Sequence, residues 1–160
     1  ALQLTNISRD IAEDANRDRF YLPADWIEPT AIRLALTGRL EAIYEVDAAL
    51  RRLVDLAEIF YQSAFAGHWF IPARNRRAVF LAAWLYREIG QSLRHMPSGA
   101  WKTRRSLSAR EKMVSGANAI RAYRRYRSGL WAGSEAPSHN PVIKGYYEAA
   151  DIEPVSYAEP

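Results

Sequence analysis

The chain has 160 residues, of which 49% are hydrophobic, and this is enough for one domain with a buried core. Its formal net charge is +4, from 22 Lys and Arg against 18 Asp and Glu, which predicts only weak attraction to phosphates or lipid headgroups. The lack of cysteine excludes disulfides and thiolate metal sites, and no run reaches the ~20 apolar residues of a membrane span.

The N-terminal part reads as a helix followed by turns. The chain starts inside a helical pattern without an initiator methionine, so we expect a piece of a longer protein. The first helix is predicted to run to about Arg17, because Pro23 and the extended residues before it end the pattern. A D-x-x-E pattern predicts a short helical turn from Asp25 to Glu28, followed by a variable connection to Gly38.

Two long amphipathic helices are predicted next. The first has an apolar stripe of Ile43, Val46, Leu50, Leu53, Ala57 and Phe60. After a break at AGHWFIP, the second begins at Pro72, ends at MPSG, and has a core face of Val79, Ala83, Tyr86, Ile89 and Leu93. The acids Asp47, Asp55 and Glu58 are predicted to lie on the helix surface.

The C-terminal part contains one more predicted helix. Ser108 and Glu111 form an S-x-x-E capping box for a helix that reaches roughly Arg127. We expect a folded unit over residues 1–128 and a loosely ordered tail over 129–160, where Gly, Pro, Ser and Asn are frequent. No strand alternation is present, so the predicted fold class is all-α, with helices long enough to surround a cavity.

The first helix has a stripe of oxygen-bearing side chains. At ~100° per residue, four of them share an arc of roughly 80°: Gln3, Asn6, Asp10 and Asp14. The adjoining arc is apolar and holds Leu4, Ile7, Ile11 and Ala15, so we expect the oxygens to border the buried surface. Unpaired carboxylates there are costly, and oxygen ligands one turn apart suit Mg²⁺ or Mn²⁺ with positions left for a substrate phosphate.

A solvated acidic face is the alternative interpretation of the same stripe. In that case the acids pair with Arg9, Arg17 and Arg19. Glu13 fits this role well, because it is four residues from both Arg9 and Arg17.

The longer pattern resembles a known family. Q-x-x-N-x-x-R-D-x-x-E-D followed by R-x-Y-L-P is similar to the second aspartate-rich motif of the squalene and phytoene synthases. FYQSAFAG, IPAR, YREIG and AWKTRRSLSAREK follow in the family order and resemble the bacterial-type phytoene synthases more than the squalene synthases. The resemblance covers residues 3 to about 125 and corresponds to the C-terminal half of such a synthase.

The resemblance implies a fold and an activity. The fold is the all-α isoprenoid synthase fold, in which helices enclose an apolar cavity with two acidic metal-binding motifs at its mouth. The activity is a prenyl transfer of carotenoid and isoprenoid biosynthesis, in which two geranylgeranyl diphosphates join head to head through a cyclopropyl diphosphate to give phytoene. Mg²⁺ is the implied cofactor, with Mn²⁺ as a substitute, and phytoene formation implies no nicotinamide cofactor.

The resemblance also implies roles for single residues. Asn6, Asp10 and Asp14 match the metal ligands, with Asp10 and Asp14 as the catalytic carboxylates. Four positions match residues that face the diphosphate: Gln3, Arg9, Tyr86 and Arg104. On the residues alone, Tyr86 fits equally a buried phenol bonded to a carbonyl, and Arg104 fits a solvated surface charge. Candidates for lining the cavity are Phe60, Tyr61, Phe65, Trp69, Phe70, Phe80 and Trp84, most of them expected to be ordinary core or surface aromatics.

The sequence departs from the family pattern in one respect, since the family's first aspartate-rich motif is not found in it. We therefore expect the chain to need the N-terminal half of a synthase and to be inactive or nearly so alone. Two alternatives stay open. One is a squalene or dehydrosqualene synthase that uses farnesyl diphosphate, and the other is a non-catalytic helical relative that assists the assembly of other complexes.

A basic segment lies between Trp101 and Trp131. It holds Lys102, Arg104, Arg105, Arg110, Lys112, Arg121, Arg124, Arg125 and Arg127 against the single acid Glu111. This pattern favours a phosphate-binding or membrane-surface face, with a solvated helix as the alternative. We expect no nucleic-acid binding, since no helix-turn-helix or RNA-binding motif is present. The expected location is the cytoplasm, with peripheral contact to a membrane.

Overall fold

The computed structural model describes residues 1–104 and 107–127, apart from the side chain of Trp69. These ranges contain five α-helices: α1 (Leu2–Ala15), α2 (Pro29–Leu36), α3 (Leu40–Ala66), α4 (Ala73–Arg94) and α5 (Ala109–Arg127). Two 3₁₀ turns, Gly67–Phe70 and Ala100–Lys102, follow α3 and α4. The described ranges contain no strand, which confirms the all-α fold class.

The predicted helices α1, α3, α4 and α5 are confirmed, whereas α2 was missed. A turn is present before it, but it lies about two residues earlier than the predicted Asp25–Glu28 turn, because the Trp26 and Ile27 N–H groups donate to the Pro23 carbonyl. The following segment was wrongly predicted to be a variable connection, and it is an eight-residue helix that starts at Pro29. The helix has eight residues, and only Ile32 and Ala35 are buried in it. Two buried positions are too few to produce a recognisable apolar period in the sequence.

The capping box of α5 forms as predicted. The Ser108 N–H donates to Oε2 of Glu111 at 2.8 Å, and the Glu111 N–H donates to Oγ of Ser108 at 3.2 Å. The two bonds satisfy donors that a helix start leaves without partners. The predicted tail over 129–160 lies outside the described residues.

The core consists of two clusters of buried side chains. The first joins α1, α2 and the N-terminal part of α3, and includes Ile11, Ile32, Val46 and Trp101. The second is largely aromatic and joins α3, α4 and α5. The predicted stripe of α3 is buried as expected, except that Phe60 is only partly buried.

The core face of α4 differs from the prediction by one position. Val79 was assigned to the core but is 44% exposed, whereas Phe80 is fully buried. The Phe80 ring lies 4.9 Å from that of Phe65 and 5.5 Å from that of Tyr126, measured between centroids. A large ring fills this space between three helices better than a valine does, and this decides which residue faces inward.

The buried face of α1 is also rotated from the prediction. Ile11 and Ala15 are buried as expected, but Leu4 and Ile7 are only partly buried. Thr5 and Ser8 are fully buried instead, which moves the centre of the buried arc by roughly 50° away from the acids.

Both hydroxyls of this buried arc are satisfied. Thr5 Oγ1 and Tyr61 Oη form a hydrogen bond of 3.0 Å, and Ser8 Oγ donates to the Leu4 carbonyl at 2.8 Å. A polar side chain with a hydrogen-bond partner can enter the core at low cost. Gly90 of α4 packs closely here, since a Cβ atom on it would lie 3.5 Å from Thr5 Oγ1.

Of the acids predicted to lie on the helix surface, Asp47 is buried and Glu58 is half-buried, with 16% of its side chain exposed. Asp47 is 6% exposed and accepts hydrogen bonds from the Ser98 hydroxyl and the Gly99 N–H. Glu58 accepts two bonds from Arg87 Nε and one from Arg87 Nη2, at 2.7–3.0 Å, and one from Gln91. Both carboxylates therefore join α3 to the segments that follow it. Asp55, 50% exposed at its side chain and paired with Arg94 at 3.1 Å, is on the surface as expected.

No helix among the described residues is long and apolar enough to cross a membrane.

Candidate functional site

Asp10 is at the centre of the polar face of α1. Arg9 donates to it through Nε and Nη2, at 2.9 and 2.7 Å, so that both carboxylate oxygens are engaged. Arg104 approaches from the segment after α4, with 3.3 Å between its Nε and Asp10 Oδ1. The Asp10 side chain is 19% exposed, so this charge cluster is partly withdrawn from solvent.

Glu13 extends the cluster by one helical turn. Its carboxylate lies 2.9 Å from Nη2 of Arg17 and 3.5 Å from Nη1 of Arg104. The i,i+4 pair with Arg17 is the one predicted for a solvated acidic face. Arg9 pairs with its neighbour Asp10 and not with Glu13. The ion-paired alternative is thus observed in part, and Arg104 takes part in it.

The ionisation of the cluster follows from these contacts. The Arg9 hydrogen bonds hold the pKa of Asp10 below its usual value, although partial burial acts against this, and the charges of Arg104 and Arg17 lower it further. The same bonds raise the pKa of Arg9, and nearby Tyr86 adds to that effect. Asp10 is therefore a carboxylate at neutral pH, as a cation ligand must be.

Asn6 has an enclosed side-chain oxygen. Its Oδ1 is buried and has no hydrogen-bond partner among the described residues. Buried amide oxygens nearly always have a donor, so an orphaned one needs an explanation. A cation bound between Asn6 and Asp10 would supply the missing partner, because amide and carboxylate oxygens are ligands for Mg²⁺. The donor types on this face therefore fit a hard cation.

Asp14 and Gln3, the other predicted ligand and diphosphate-facing residue of α1, form no side-chain hydrogen bond or ion pair with the charge cluster around Asp10 within the described ranges. Asp14 is half-buried and lines a narrow cleft of about 10 Å³ with Arg19, Phe20 and Ile32. Gln3 is exposed. No group of three or more His, Cys, Asp or Glu side chains within residues 1–104 and 107–127 is arranged to hold a metal. The predicted trio has only two carboxylates beside its amide, so an inner-sphere site needs further ligands from water or substrate.

Tyr86 brings α4 to this region. It is half-buried against the aromatic cluster, and its proximity to Arg9 is what adds to the raised pKa of that guanidinium. Its hydroxyl bonds no carbonyl in the part of the chain that the structure describes, so the carbonyl-bound alternative is not observed. The structure thus brings three of the predicted residues into contact, Arg9, Asp10 and Arg104, and Tyr86 lies near enough to influence the pKa of Arg9.

The predicted aromatic lining is mostly core. Tyr61, Phe65 and Phe80 are at most 3% exposed and pack against one another, whereas Phe70 is 62% exposed. The ring of Trp84 is half-buried, 5.8 Å from Phe65. A larger open groove of about 480 Å³ lies elsewhere, between α4 and α5, and both polar and apolar residues line it, among them Gln91, Asn118 and Val114. The tight ring contacts leave no space for a prenyl chain within the aromatic cluster itself.

A family model and several curated proteins are similar to this chain. The family model "Squalene/phytoene synthase" matches residues 1–111. The chain is 40% identical to "15-cis-phytoene synthase" of Enterobacter agglomerans over 114 residues, which cover 71% of this chain and 39% of that protein. It is 42% identical over 118 residues to "Phytoene synthase" of Pseudescherichia vulneris, covering 71% and 37%.

A more distant relative is "Phytoene synthase" of Thermus thermophilus, 38% identical over 96 residues, which cover 59% of this chain and 32% of that protein. No solved structure matches the chain. The chain thus spans less than two fifths of the length of these curated relatives. Since the family model covers most of the sequence, including α1 with its polar face, the chain belongs to the squalene/phytoene synthase family.

Proposed function

We propose that this chain is part of a phytoene synthase-type prenyltransferase and supplies the second acidic motif of its active site. The observation that carries the proposal is the polar face of α1, where the unpartnered Asn6 Oδ1 lies one helical turn from the ionised Asp10, and Asp10 contacts Arg9 and Arg104. The relatives' names support phytoene as the product. We propose two geranylgeranyl diphosphates as the substrates, as the family resemblance implies.

Asn6, Asp10 and Asp14 would hold the cation, Mg²⁺ or Mn²⁺. The cation would act as a Lewis acid that neutralises negative charge on the departing diphosphate. Asp10 must then exchange at least one of its arginine contacts, because both of its oxygens are engaged in this structure. Asp10 needs no general base, since its lowered pKa keeps it ionised at neutral pH.

The cationic and phenolic groups around α1 would bind the diphosphate. Arg104 is 58% exposed at its side chain, so it can turn from Asp10 and Glu13 toward a phosphate oxygen. Arg9 and Tyr86 border the same region, and exposed Gln3 lies on the same arc of the helix. A guanidinium can bind two phosphate oxygens at once, which would orient the leaving group before the carbon–oxygen bond breaks.

The described residues form one side of such a site. Two prenyl diphosphates must be placed against each other, and the residues present here supply a single acidic motif. We therefore propose that activity requires the N-terminal half of a synthase, which carries the other motif.

The test is to incubate the chain with geranylgeranyl diphosphate and Mg²⁺, alone and mixed with the N-terminal half of one of the relatives. We expect phytoene in the hexane extract only from the mixture, and loss of it in an Asp10→Ala, Asp14→Ala double variant. Asp55→Ala, which removes an exposed carboxylate of α3, is the matched control. Phytoene from the chain alone would refute the need for a second half. A parallel reaction with farnesyl diphosphate tests the squalene-type alternative.

A non-catalytic family member is the second candidate function. It is favoured by the ion pairs of Asp10, whose two carboxylate oxygens are both engaged by arginines. In such a protein the polar face would be an ion-paired helix surface. This candidate would be favoured if the mixture formed no product and the chain bound no Mn²⁺.

We also propose that the outward face of α5 contacts a membrane surface. The inner face is buried through Ser115, Ala119, Ala122 and Tyr126. On the opposite side, Met113 and Ile120 are 76% and 41% exposed, and Arg121 and Arg124 are exposed beside them. A helix that presents apolar side chains among arginines is suited to anionic headgroups.

Co-sedimentation with vesicles tests the membrane proposal. We expect binding to phosphatidylglycerol vesicles, weaker binding to phosphatidylcholine vesicles, and loss of binding in an Arg121→Glu, Arg124→Glu variant. Arg74→Glu, Arg77→Glu makes the same charge change on exposed positions of α4 and should leave binding nearly intact. Equal losses in both variants would show that only net charge matters and would refute a specific face.

A further inference from the structure

Asp47 connects the N-terminal part of α3 to the segment that carries Arg104. Its Oδ2 accepts a hydrogen bond from the Ser98 hydroxyl, and its Oδ1 accepts one from the Gly99 N–H at 3.2 Å. Because Asp47 is only 6% exposed, these bonds are made in a protected environment. Both hydrogen-bond partners of this buried carboxylate therefore come from one turn, 51 and 52 residues later in the chain.

The backbone of the turn that bonds Asp47 is closely packed and has little conformational freedom. Gly99 has a φ of +74°, a backbone conformation that favours glycine, and a Cβ atom on it would lie 3.2 Å from Cγ2 of Ile43. The 3₁₀ turn Ala100–Lys102 follows at once, and its Trp101 is 3% exposed in the first core cluster. Met96 and Trp101 anchor the segment to the first core cluster by apolar contacts, which have no direction, whereas the two hydrogen bonds to Asp47 are directional and restrict the orientation of the turn.

Arg104 is three residues beyond Trp101. Its guanidinium lies 3.3 Å from Asp10 Oδ1 and 3.5 Å from Glu13 Oε2, so the orientation of the turn decides whether Arg104 reaches the polar face of α1. An exposed arginine is otherwise free to adopt many rotamers, and the position of its backbone is what limits them.

We infer that Asp47 is a positioning residue, which holds the segment 97–104 through Ser98 and Gly99 and thereby keeps Arg104 on Asp10 and Glu13. This inference rests on the proposed function, in which Asp10 binds the cation and Arg104 binds diphosphate. Arg104 competes with a cation for Asp10 while it remains in this place. Release of the segment therefore raises the affinity of the polar face for a cation.

Two measurements test the inference. The first is amide hydrogen exchange of residues 97–104, which reports on the segment without any cation. The second is the dissociation constant for Mn²⁺ alone, measured from the free-ion electron paramagnetic resonance signal. We expect Asp47→Ala to accelerate the exchange and to lower the Mn²⁺ dissociation constant by about twofold to fivefold, the range for loss of one exposed ion pair.

Three further variants separate positioning from a general loss of structure. Arg104→Gln should lower the Mn²⁺ dissociation constant by the same factor, and the Asp47→Ala, Arg104→Gln double variant should go no further. Asp47→Asn should behave as the wild type, because its carbonyl can accept from Gly99 and its amide can donate to Ser98. Asp55→Ala removes the same charge from α3 without touching the turn and should change neither measurement.

The outcomes distinguish this inference from the proposed function. Unchanged exchange in Asp47→Ala, additive effects in the double variant, or an Asp47→Asn variant that behaves as Asp47→Ala would each overturn the inference. If the wild type binds no Mn²⁺, the proposed cation site fails, while the exchange data still decide whether Asp47 holds the segment.

Discussion

The hydrogen bond between Thr5 and Tyr61 contributes to the orientation of α1 about its own axis. A double-mutant cycle can measure the interaction energy of this bond. The two hydroxyls are buried and 3.0 Å apart, and they join the helix with the polar face to the C-terminal part of α3. Thr5→Val removes one hydroxyl and leaves the Tyr61 Oη without its partner, so we expect the free energy of unfolding to fall by about 2 kcal/mol. Tyr61→Phe should cost only about 1 kcal/mol, because Thr5 can turn its hydroxyl to the Ala1 carbonyl one turn earlier.

The double variant should cost less than the sum of the single variants, by about 1 kcal/mol, since the bond can be lost only once. The assay is urea unfolding at pH 7, followed by tryptophan fluorescence and compared at constant m-value. Tyr44→Phe, on the exposed side of α3, is the matched control and should change stability by less than about 0.5 kcal/mol. Additive losses in the cycle would refute the reasoning, because they would mean that the two hydroxyls do not interact.

The other predictions concern the second core cluster and its ionisable neighbours. Phe80→Ala should lower the free energy of unfolding by about 3–5 kcal/mol, whereas Val79→Ala should cost less than about 1 kcal/mol; similar costs in urea titrations would contradict the assignment of the core face. Burial raises the pKa of Glu58, but hydrogen bonds and charge from Arg87 outweigh it and leave that pKa below its usual value. Stability from Glu58 is therefore present above its unfolded pKa and lost as pH falls through the folded one, and Glu58→Gln should flatten the acid limb of a stability–pH curve. Burial raises the pKa of Tyr126 to about 12, so its contribution is full below pH ~10 and lost between there and pH 12. Tyr126→Phe should remove that part of the alkaline decline in thermal unfolding scans, and an unchanged decline would assign it elsewhere.

The local sequence determined most of the helices. The apolar period of α3, the proline at the start of α4 and the capping box of α5 act within one or two turns, so their effects can be read along the chain. The family resemblance was equally accessible, because short motifs in a fixed order survive in the sequence whatever the packing. The helix α2 escaped since two buried residues in eight give no period.

The tertiary structure alone decided which polar groups are buried. Thr5 and Ser8 were not part of the predicted buried arc, and they can be buried because Tyr61 supplies a hydroxyl for one and the helix backbone supplies a carbonyl for the other. Asp47 and Glu58 were predicted to be surface acids for the same reason, since Ser98 and Gly99, which bond Asp47, and Arg87 and Gln91, which bond Glu58, lie 29 or more residues away. Only Gln62, which also bonds Glu58, is near it in the chain. The cost of burying a polar atom depends on its partner, and no pattern in the neighbouring sequence identifies a partner contributed by another helix.

The candidate site shows the same division. The oxygen ligands of α1 follow from helical spacing, which places Asn6, Asp10 and Asp14 on one arc whatever surrounds them. The charges around these ligands do not follow from helical spacing. Asp10 contacts Arg104, whose position depends on a turn that is hydrogen-bonded to Asp47. A helix fixes the order of its own side chains, but long-range contacts fix which charges face them, and these contacts decide whether a carboxylate is available to a cation.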